Sequence, residues 1–549
     1  MRYLTCPFSS NECFISGVTM LSKQLIKNLT EAHSWIGLII SSLLFIVFFA
    51  GSIALFRSEI NLWSMQPHFD VHHKDQQQVS VDTILDNALA GRDYDGKEHI
   101  TLVMPQPHSP FYRAYIDIKD RPQEPHYDSL LLDPVTGKVI SEGDKFQLAN
   151  FIYQLHYDLN LPWGLYIVGF ITLFFFFALI SGIFIHARKF IANFFQYRNG
   201  EHKRTQLLDM HNVVGVISIP FTVMYAITGL IFNLVIIYQI AFALLLYKGD
   251  QDALLNDAGI VQIAPEWQDK PVSRANLAQL VSNLETKYQL QPERIRFYNY
   301  GDASGVIEVR ANSEKEFGYQ YTTTHSFADG HTLTVHDDSN PNTLVLGLDT
   351  LKKLHYANFA NVDLRVIYFI LGLAVCALIV TGNLLWIEKQ QKRRHHSARA
   401  ISMARYVTNV GSVGIVVATS VAFMSERLVP INIVERMDII ILCFYLGLLV
   451  SAVAFLLPKN QEKSRQLIAI QLNLSAVVLI STVILDWVLF QNKIVALSQA
   501  GYQQTIGVEI GLLLSAVVLA LTARRFQAPK PFVEQTSEAA STAQSLTRG

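Results

Sequence analysis

The sequence predicts an α-helical integral membrane protein of about eight transmembrane helices, with two small α+β domains held outside the membrane. Three observations predict it. The chain has 549 residues, is 50% hydrophobic and only 16% charged, where a soluble chain carries about a quarter charged residues. Eight apolar runs approach or exceed the ~20 residues that a helix needs to cross a bilayer. Two long polar segments, 57–160 and 247–363, separate the first four runs in pairs and carry strand and turn patterns. The formal net charge of −1 leaves no basic field for nucleic acid.

The runs come in order. Trp35–Phe56 and Leu161–Ile185 contain no charge. Val213–Leu246 is longer than a span needs, which predicts a tilt or a continuation past the interface. Val366–Ile387 completes the first four. Tyr406–Met424, Ile439–Leu457, Leu467–Phe490 and Ile506–Leu521 follow, the last two with Asp486 and Glu509 near one end. Both acids are expected in water at the outer surface, because the functional acids of membrane proteins lie at mid-depth. The chain thus divides into a cytoplasmic segment 1–32, helix 1 at 33–56, an outer domain at 57–160, helix 2 at 161–186 and an inner loop at 187–210. Helix 3 at 211–246, a second outer domain at 247–363 and helix 4 at 364–388 come next. Residues 389–525 hold an inner loop and helices 5–8, and 526–549 read as a disordered cytoplasmic tail.

Lysine and arginine set the orientation. Lys23 and Lys27 precede the first run, and Arg188, Lys189, Arg198, Lys203 and Arg204 lie between the second and third. Lys389, Lys392, Arg393, Arg394 and Arg399 follow the fourth, Lys459, Lys463 and Arg465 the sixth, Arg524 and Arg525 the eighth. All fall on one side if every run crosses. The positive-inside rule makes that side the cytoplasm of an inner membrane, with both termini inside. Residues 1–19 lack the basic head and apolar run of a signal peptide, and Met20 opens a stretch that reads as a better start. Of Cys6, Cys13, Cys376 and Cys443 none lies in the polar segments, so no disulfide framework is expected there.

The first four runs are one unit written twice. Run one opens with His33-Ser-Trp-Ile-Gly37 and run three with His211-Asn-Val-Val-Gly215. Leu155-His156-Tyr157 precedes run two and Leu354-His355-Tyr356 precedes run four. Run two ends in Ser181-Gly182 with His186 beyond, run four in Thr381-Gly382 with Trp386. The polar segments repeat as well. Helical stretches at Val81–Leu89 and Ser273–Tyr288 are followed by strand-like runs: His99–Met104, Phe111–Ile118 and Ser129–Asp133, then Arg294–Tyr298, Gly305–Val309 and Gly318–Thr323. Hairpin turns follow at Asp133-Pro-Val-Thr-Gly137 and Asp329-Gly330. A helix against antiparallel strands is a small α+β fold. Runs five to eight show no such echo.

These pieces resemble the PepSY-associated transmembrane family, often called iron-regulated membrane proteins, some of which are ferric-siderophore reductases of Gram-negative inner membranes. The matching residues are His33 through Gly37, Asp133 through Gly137, Leu155-His156, His211 through Pro220-Phe221, and Leu354-His355-Tyr-Ala-Asn-Phe359, within roughly 30–390. The resemblance implies two PepSY-like outer domains, haem, and reduction of a ferric siderophore. Many relatives carry a histidine after the Pro-Phe pair; here that position is Thr222, so any role of that side chain is absent.

Histidine is rare at membrane depth, where its ring must find a partner. Neutral imidazole is a good axial ligand for haem iron, and bundle helices can offer two facing histidines to one flat cofactor. The repeat pairs His33 with His211 at one level and His156 with His355 at the other, which predicts two b-type haems. His186 is a reserve ligand, its counterpart being Trp386. Gly37 and Gly215, one turn past the inner histidines, leave room for a macrocycle edge or for close helix packing. Phe174–Phe177 read as lipid-facing filler more than as porphyrin packing. His68, His72, His73, His325, His331 and His336 are irregularly spaced in polar loops and read as solvated. No G-x-G-x-x-G fingerprint or P-loop is present, so the electron donor is a separate cytosolic reductase or a membrane quinol. The lipid bilayer and a ferric chelate complete the expected partners. The alternatives are a PepSY-based binding or regulatory protein without redox activity, and a transporter component built on runs five to eight.

Overall fold

A computed structural model describes residues 22–66, 76–106, 110–119, 127–186, 197–198, 203–258, 263–313, 320–335, 343–357, 359, 361–395, 397–458 and 460–527. Eight of its helices are long and apolar enough to cross a membrane. They are span 1 (Lys23–Ala54), span 2 (Gly164–His186), span 3 (Lys203–Asn233), span 4 (Val362–Gln391), span 5 (Ala398–Leu428), span 6 (Arg436–Ala454), span 7 (Gln461–Gln499) and span 8 (Gln504–Gln527). The chain is a multi-pass α-helical membrane protein that also carries a β-sheet.

Spans 1 to 4 form a closed ring, in which spans 1 and 3 each pack on spans 2 and 4. Leu44, Phe48, Val168, Phe175, Phe221, Ala226 and Val375 line its interior. Spans 5 to 8 form a second bundle that joins the first at spans 1 and 4, where Trp386 and Ile387 of span 4 pack on Ile401 and Ala404; the closest approach is at span 1. There Ser42 Oγ donates to the Val407 carbonyl at 3.0 Å, and Gly411 leaves the space that Ser42 occupies. A π-turn over Val410–Gly414 marks this contact, where the ordinary hydrogen-bond ladder of span 5 is interrupted.

The polar segments form one sheet. The first carries β1 (Ile100–Val103), β2 (Tyr112–Asp117), β3 (Tyr127–Leu132) and β4 (Val139–Glu142), and the second β5 (Leu290–Tyr298), β6 (Val306–Ser313), β7 (Gln320–Ser326) and β8 (Thr332–Val335). The order is β4-β3-β2-β1-β5-β6-β7-β8, antiparallel throughout. The sequence predicts two separate folds and does not predict their joining, β1 on β5, with Ile100 opposite Phe297 and Leu102 opposite Ile295. Helices Val81–Leu89 and Leu277–Tyr288 share a single core with both halves, including Ile84, Leu85, Ala114, Leu130, Leu284 and Val309. Asp82 ties the halves together. It accepts from the backbone N–H of Leu277 and Ala278 at 3.0 and 2.9 Å and pairs with Arg274 at 2.7 Å, so a carboxylate of one helix caps the N-terminus of the other. Gly137 and Gly330 turn their hairpins at φ +69° and +74°, where a side chain would be strained.

Two expectations are corrected. The run expected as one helix over 211–246, tilted or continued past the interface, is broken in two: span 3 stops at Asn233, and a separate helix, Val235–Leu246, continues beyond the break at Leu234. Asp486 and Glu509 are not in water; they are 0% and 3% exposed. Asp486 pairs with Arg427 at 2.6 Å and accepts from Trp63 Nε1 at 3.1 Å and Gln66 Nε2 at 2.7 Å. The reason is the short helix Arg57–Met65, which leaves span 1 and packs against span 8 and the segments beside it, covering acids that an isolated span would expose.

Candidate functional site

Four histidines meet in two pairs at two levels of the span 1–4 ring. At the end far from the sheet, His33 of span 1 faces His211 of span 3, with ring centroids 6.4 Å apart and planes at 81°. At the sheet end, His156 faces His355 at 5.9 Å and 45°. His156 closes the amphipathic helix Leu148–Tyr157, and His355 sits near the end of helix Thr343–Tyr356. After His156 the chain reverses into span 2 through Leu159, Asn160 and Trp163, all at positive φ. Helical rise of ~1.5 Å per residue between His33 and Val47, which meets His156, separates the two levels by roughly 21 Å.

Each ring is held at Nδ1. His33 Nδ1 lies 2.9 Å from the Ala178 carbonyl and 3.2 Å from Ser181 Oγ; His211 Nδ1 lies 3.1 Å from the Leu378 carbonyl and 3.2 Å from Thr381 Oγ1. His156 Nδ1 is 2.8 Å from the Val47 carbonyl. His355 Nδ1 is 2.7 Å from Thr228 Oγ1, which also reaches the Met224 carbonyl. A carbonyl accepts only. The carbonyls place the proton of His33, His211 and His156 on Nδ1 and keep the Nε2 lone pair for another partner, the arrangement that orients metal-bound imidazoles, and the Thr228 hydroxyl holds His355 by the same ring nitrogen.

The donor set fits haem iron. Imidazole nitrogen binds a metal at about 2 Å. With about 1 Å more from nitrogen to ring centre, two imidazoles on one iron have centroids roughly 6 Å apart. Both pairs meet that spacing. The sheet-end pair also lines a cavity of about 540 Å³ together with Phe48, Phe175, Phe221 and Tyr225, a volume suited to a cofactor-sized molecule. Phe175 thus turns inward, whereas Phe174 and Phe177 are exposed on the outside of span 2. At the far end a side chain on Gly37 would meet nothing within 4 Å, and one on Gly215 would meet only Leu378 at 3.6 Å, so the flanks of that pair are open.

His186 lies near both far-end rings. Thr222 is buried and donates to the Ser218 carbonyl at 3.0 Å. His325, expected in solvent, is instead buried beside Thr323 on a strand of the sheet, whereas His331 is exposed and pairs with Asp329; His68, His72, His73 and His336 fall outside the described residues. Among the described residues no cluster of three or more His, Cys, Asp or Glu is placed to hold a bare metal ion.

The sequence did not point to the side chains that hold the rings. Ser181-Gly182 and Thr381-Gly382 are visible as an echo, but their role appears only in the fold. Each hydroxyl faces the incoming ring, and a side chain on the adjacent glycine would sit 3.3 Å from His33 Cε1 or 3.2 Å from His211 Cε1. Gly51 does the same for His156, where an added Cβ would lie 2.5 Å from Nδ1.

The family model for the PepSY-associated TM region matches residues 30–389, which contain all four histidines and both halves of the sheet. The chain belongs to this family. Spans 5 to 8 follow the matched segment. An uncharacterized protein of Pseudomonas aeruginosa is 19% identical over 268 residues, 46% of this chain and 65% of that protein. The chain thus spans less than two thirds of this relative's length.

Proposed function

We propose that this family member is a transmembrane electron-transfer protein that holds two b-type haems, one between His33 and His211 and one between His156 and His355. Its acceptor is a ferric chelate, such as a ferric siderophore, on the sheet side of the membrane. The observation that carries this reading is that two facing pairs of rings, at the right spacing, are all held at Nδ1, which leaves Nε2 for another partner.

Haem iron bound by two imidazoles exchanges a single electron between Fe(III) and Fe(II). The chain's own residues do the rest. Ala178, Leu378 and Val47 fix ring tautomer and direction, Thr228 holds the fourth ring, and the apolar ring of spans 1 to 4 keeps water from the space between the levels. Reduction loosens a siderophore's hold, because its hard oxygen donors suit Fe(III) better than Fe(II). On this reading the far end faces the cytoplasm of an inner membrane, where the Lys/Arg clusters lie and where a cytosolic reductase or a membrane quinol supplies electrons.

Absorption spectra of the purified full chain, oxidised and dithionite-reduced, beside haem quantitation, test this. The expected result is sharp reduced bands and about two haems per chain. A colourless protein overturns it and leaves the binding and transport readings. Labelling of Lys138→Cys from the extracytoplasmic side tests the orientation; labelling only from the cytoplasm reverses it.

A further inference from the structure

The sheet-end cavity contains charge that its histidines do not account for. Arg57 and Arg365 both line it. Arg365 is satisfied, pairing with Glu59 at 2.7 Å and donating to the Leu55 carbonyl at 3.1 Å. Arg57 is not. Its Nε donates to Asn150 Oδ1 at 2.6 Å, and its guanidinium lies over the Tyr153 ring at 4.6 Å, but among the described residues no carboxylate pairs with it. Its nearby charge is a second cation, Arg113 of β2. Burial first, and Arg113 next among the opposing groups, push the Arg57 guanidinium down, against Tyr153, which favours its charge. Among the described residues Arg113 itself reaches only the Tyr115 hydroxyl, at 3.4 Å.

Arg57 and Ser58 line a second, adjoining cavity of about 180 Å³, whose wall includes Arg113, Asn61, Phe111 and Tyr115. The two cavities therefore meet at Arg57, between the membrane helices and the sheet. Two half-buried guanidiniums with no anion among the described residues are costly, because each loses water and repels the other. A planar fork of donors matches a carboxylate, and among the described residues no acceptor meets the Nη groups of Arg57.

We propose that Arg57, backed by Arg113, is the carboxylate-binding group of this cavity and takes a carboxylate of the molecule seated between His156 and His355. This rests on the reading above, on which that molecule is a porphyrin and the carboxylate one of its propionates. An acidic arm of the chelate is the other source of the same chemistry.

The test compares wild type, Arg57→Gln and Arg113→Gln as full chains in detergent, in two arms. The first measures haem content and the potential of each haem by spectroelectrochemistry without chelate. The second titrates ferric citrate, a tricarboxylate probe, into the protein. A propionate site predicts that Arg57→Gln lowers the potential of one haem, because lost positive charge favours Fe(III), and leaves the other haem unchanged. A chelate site predicts unchanged potentials and roughly tenfold weaker citrate binding, the loss expected for a charged hydrogen bond. Unchanged potentials with unchanged citrate binding overturn the proposal. Should Arg57→Gln not fold, Arg113→Gln must show a smaller effect of the same sign in one arm; no effect overturns it. If wild type holds no haem, the functional reading fails, and the citrate arm alone decides Arg57.

Discussion

The far-end and sheet-end histidine pairs descend from the same repeat, yet they are held differently. At the far end the two rings have matched partners: a carbonyl plus a hydroxyl one turn on, from Ala178 and Ser181 in one half and Leu378 and Thr381 in the other. At the sheet end the match is gone. His156 leans on a backbone carbonyl of span 1, His355 on a side-chain hydroxyl of span 3, and the ring angle falls from 81° to 45°. The far-end rings belong to the spans themselves, and each is held by the second span of its own half. The sheet-end rings sit on connecting helices, Leu148–Tyr157 and Thr343–Tyr356, and the first of these also packs on spans 5 and 6. Symmetry survives where only the bundle constrains the chain and breaks where one half acquires neighbours that the other lacks.

The largest expected effects break the comparison outright. His156→Ala or His355→Ala is expected to remove one haem and leave the other, and His33→Ala or His211→Ala the converse, since the levels lie roughly 21 Å apart and share no ligand. Haem quantitation with reduced spectra checks this; loss of both haems from any one variant contradicts independent levels. Gly51→Val should come close behind at the sheet end. Its Cβ would lie against the His156 ring, and forcing that ring aside costs about 1–3 kcal/mol as overpacking. Gly37→Ala, with nothing within 4 Å, should leave thermal stability unchanged. Equal losses of melting temperature in the two variants would show that the close approach at Gly51 is not real.

The next pair sharpens the comparison. Thr228→Val removes the hydroxyl that meets His355 Nδ1 while keeping shape, so the ring loses the partner that orients it; outer-shell losses of this kind weaken metal binding by roughly 10- to 100-fold. Ser181→Ala removes a hydroxyl but leaves the Ala178 carbonyl at 2.9 Å, so haem retention during dilution should match wild type. If Ser181→Ala loses haem as readily as Thr228→Val, the hydroxyl rather than the carbonyl fixes His33.

How much of this was legible follows from the range of each interaction. Helix Val81–Leu89 and the turns at Gly137 and Gly330 rest on patterns a few residues long, and they stand where those patterns put them. The histidine pairs were legible because a repeat supplies the long-range pairing that a single sequence otherwise hides. The β1–β5 joint was not, because a paired edge strand has the same local pattern as a free one. Asp486 and Glu509 failed for the same reason: their position in a run says depth, while burial depends on the Arg57–Met65 helix, distant in sequence. Val213–Leu246 is apolar on both sides of its break, so composition alone does not show where span 3 ends.

The smallest expected effect concerns His186, the third histidine at the far end. Its repeat counterpart, Trp386, is buried and meets Trp35 edge-on at 5.4 Å, so in the other half this position packs the helices rather than serving a ligand. His33 and His211 face each other ring to ring, with Nδ1 acceptors at equivalent places in the two halves. His186 lies beside that pair, at the end of span 2, and breaks its symmetry. His186→Ala should therefore keep both haems, with at most a small shift in the potential of the far-end one as a neighbouring polar ring is lost. The decisive contrast is with His33→Ala under the same conditions. If His186→Ala loses a haem and His33→Ala keeps both, the far-end ligand pair is His186 with His211, and the repeat symmetry is broken at both levels rather than at one.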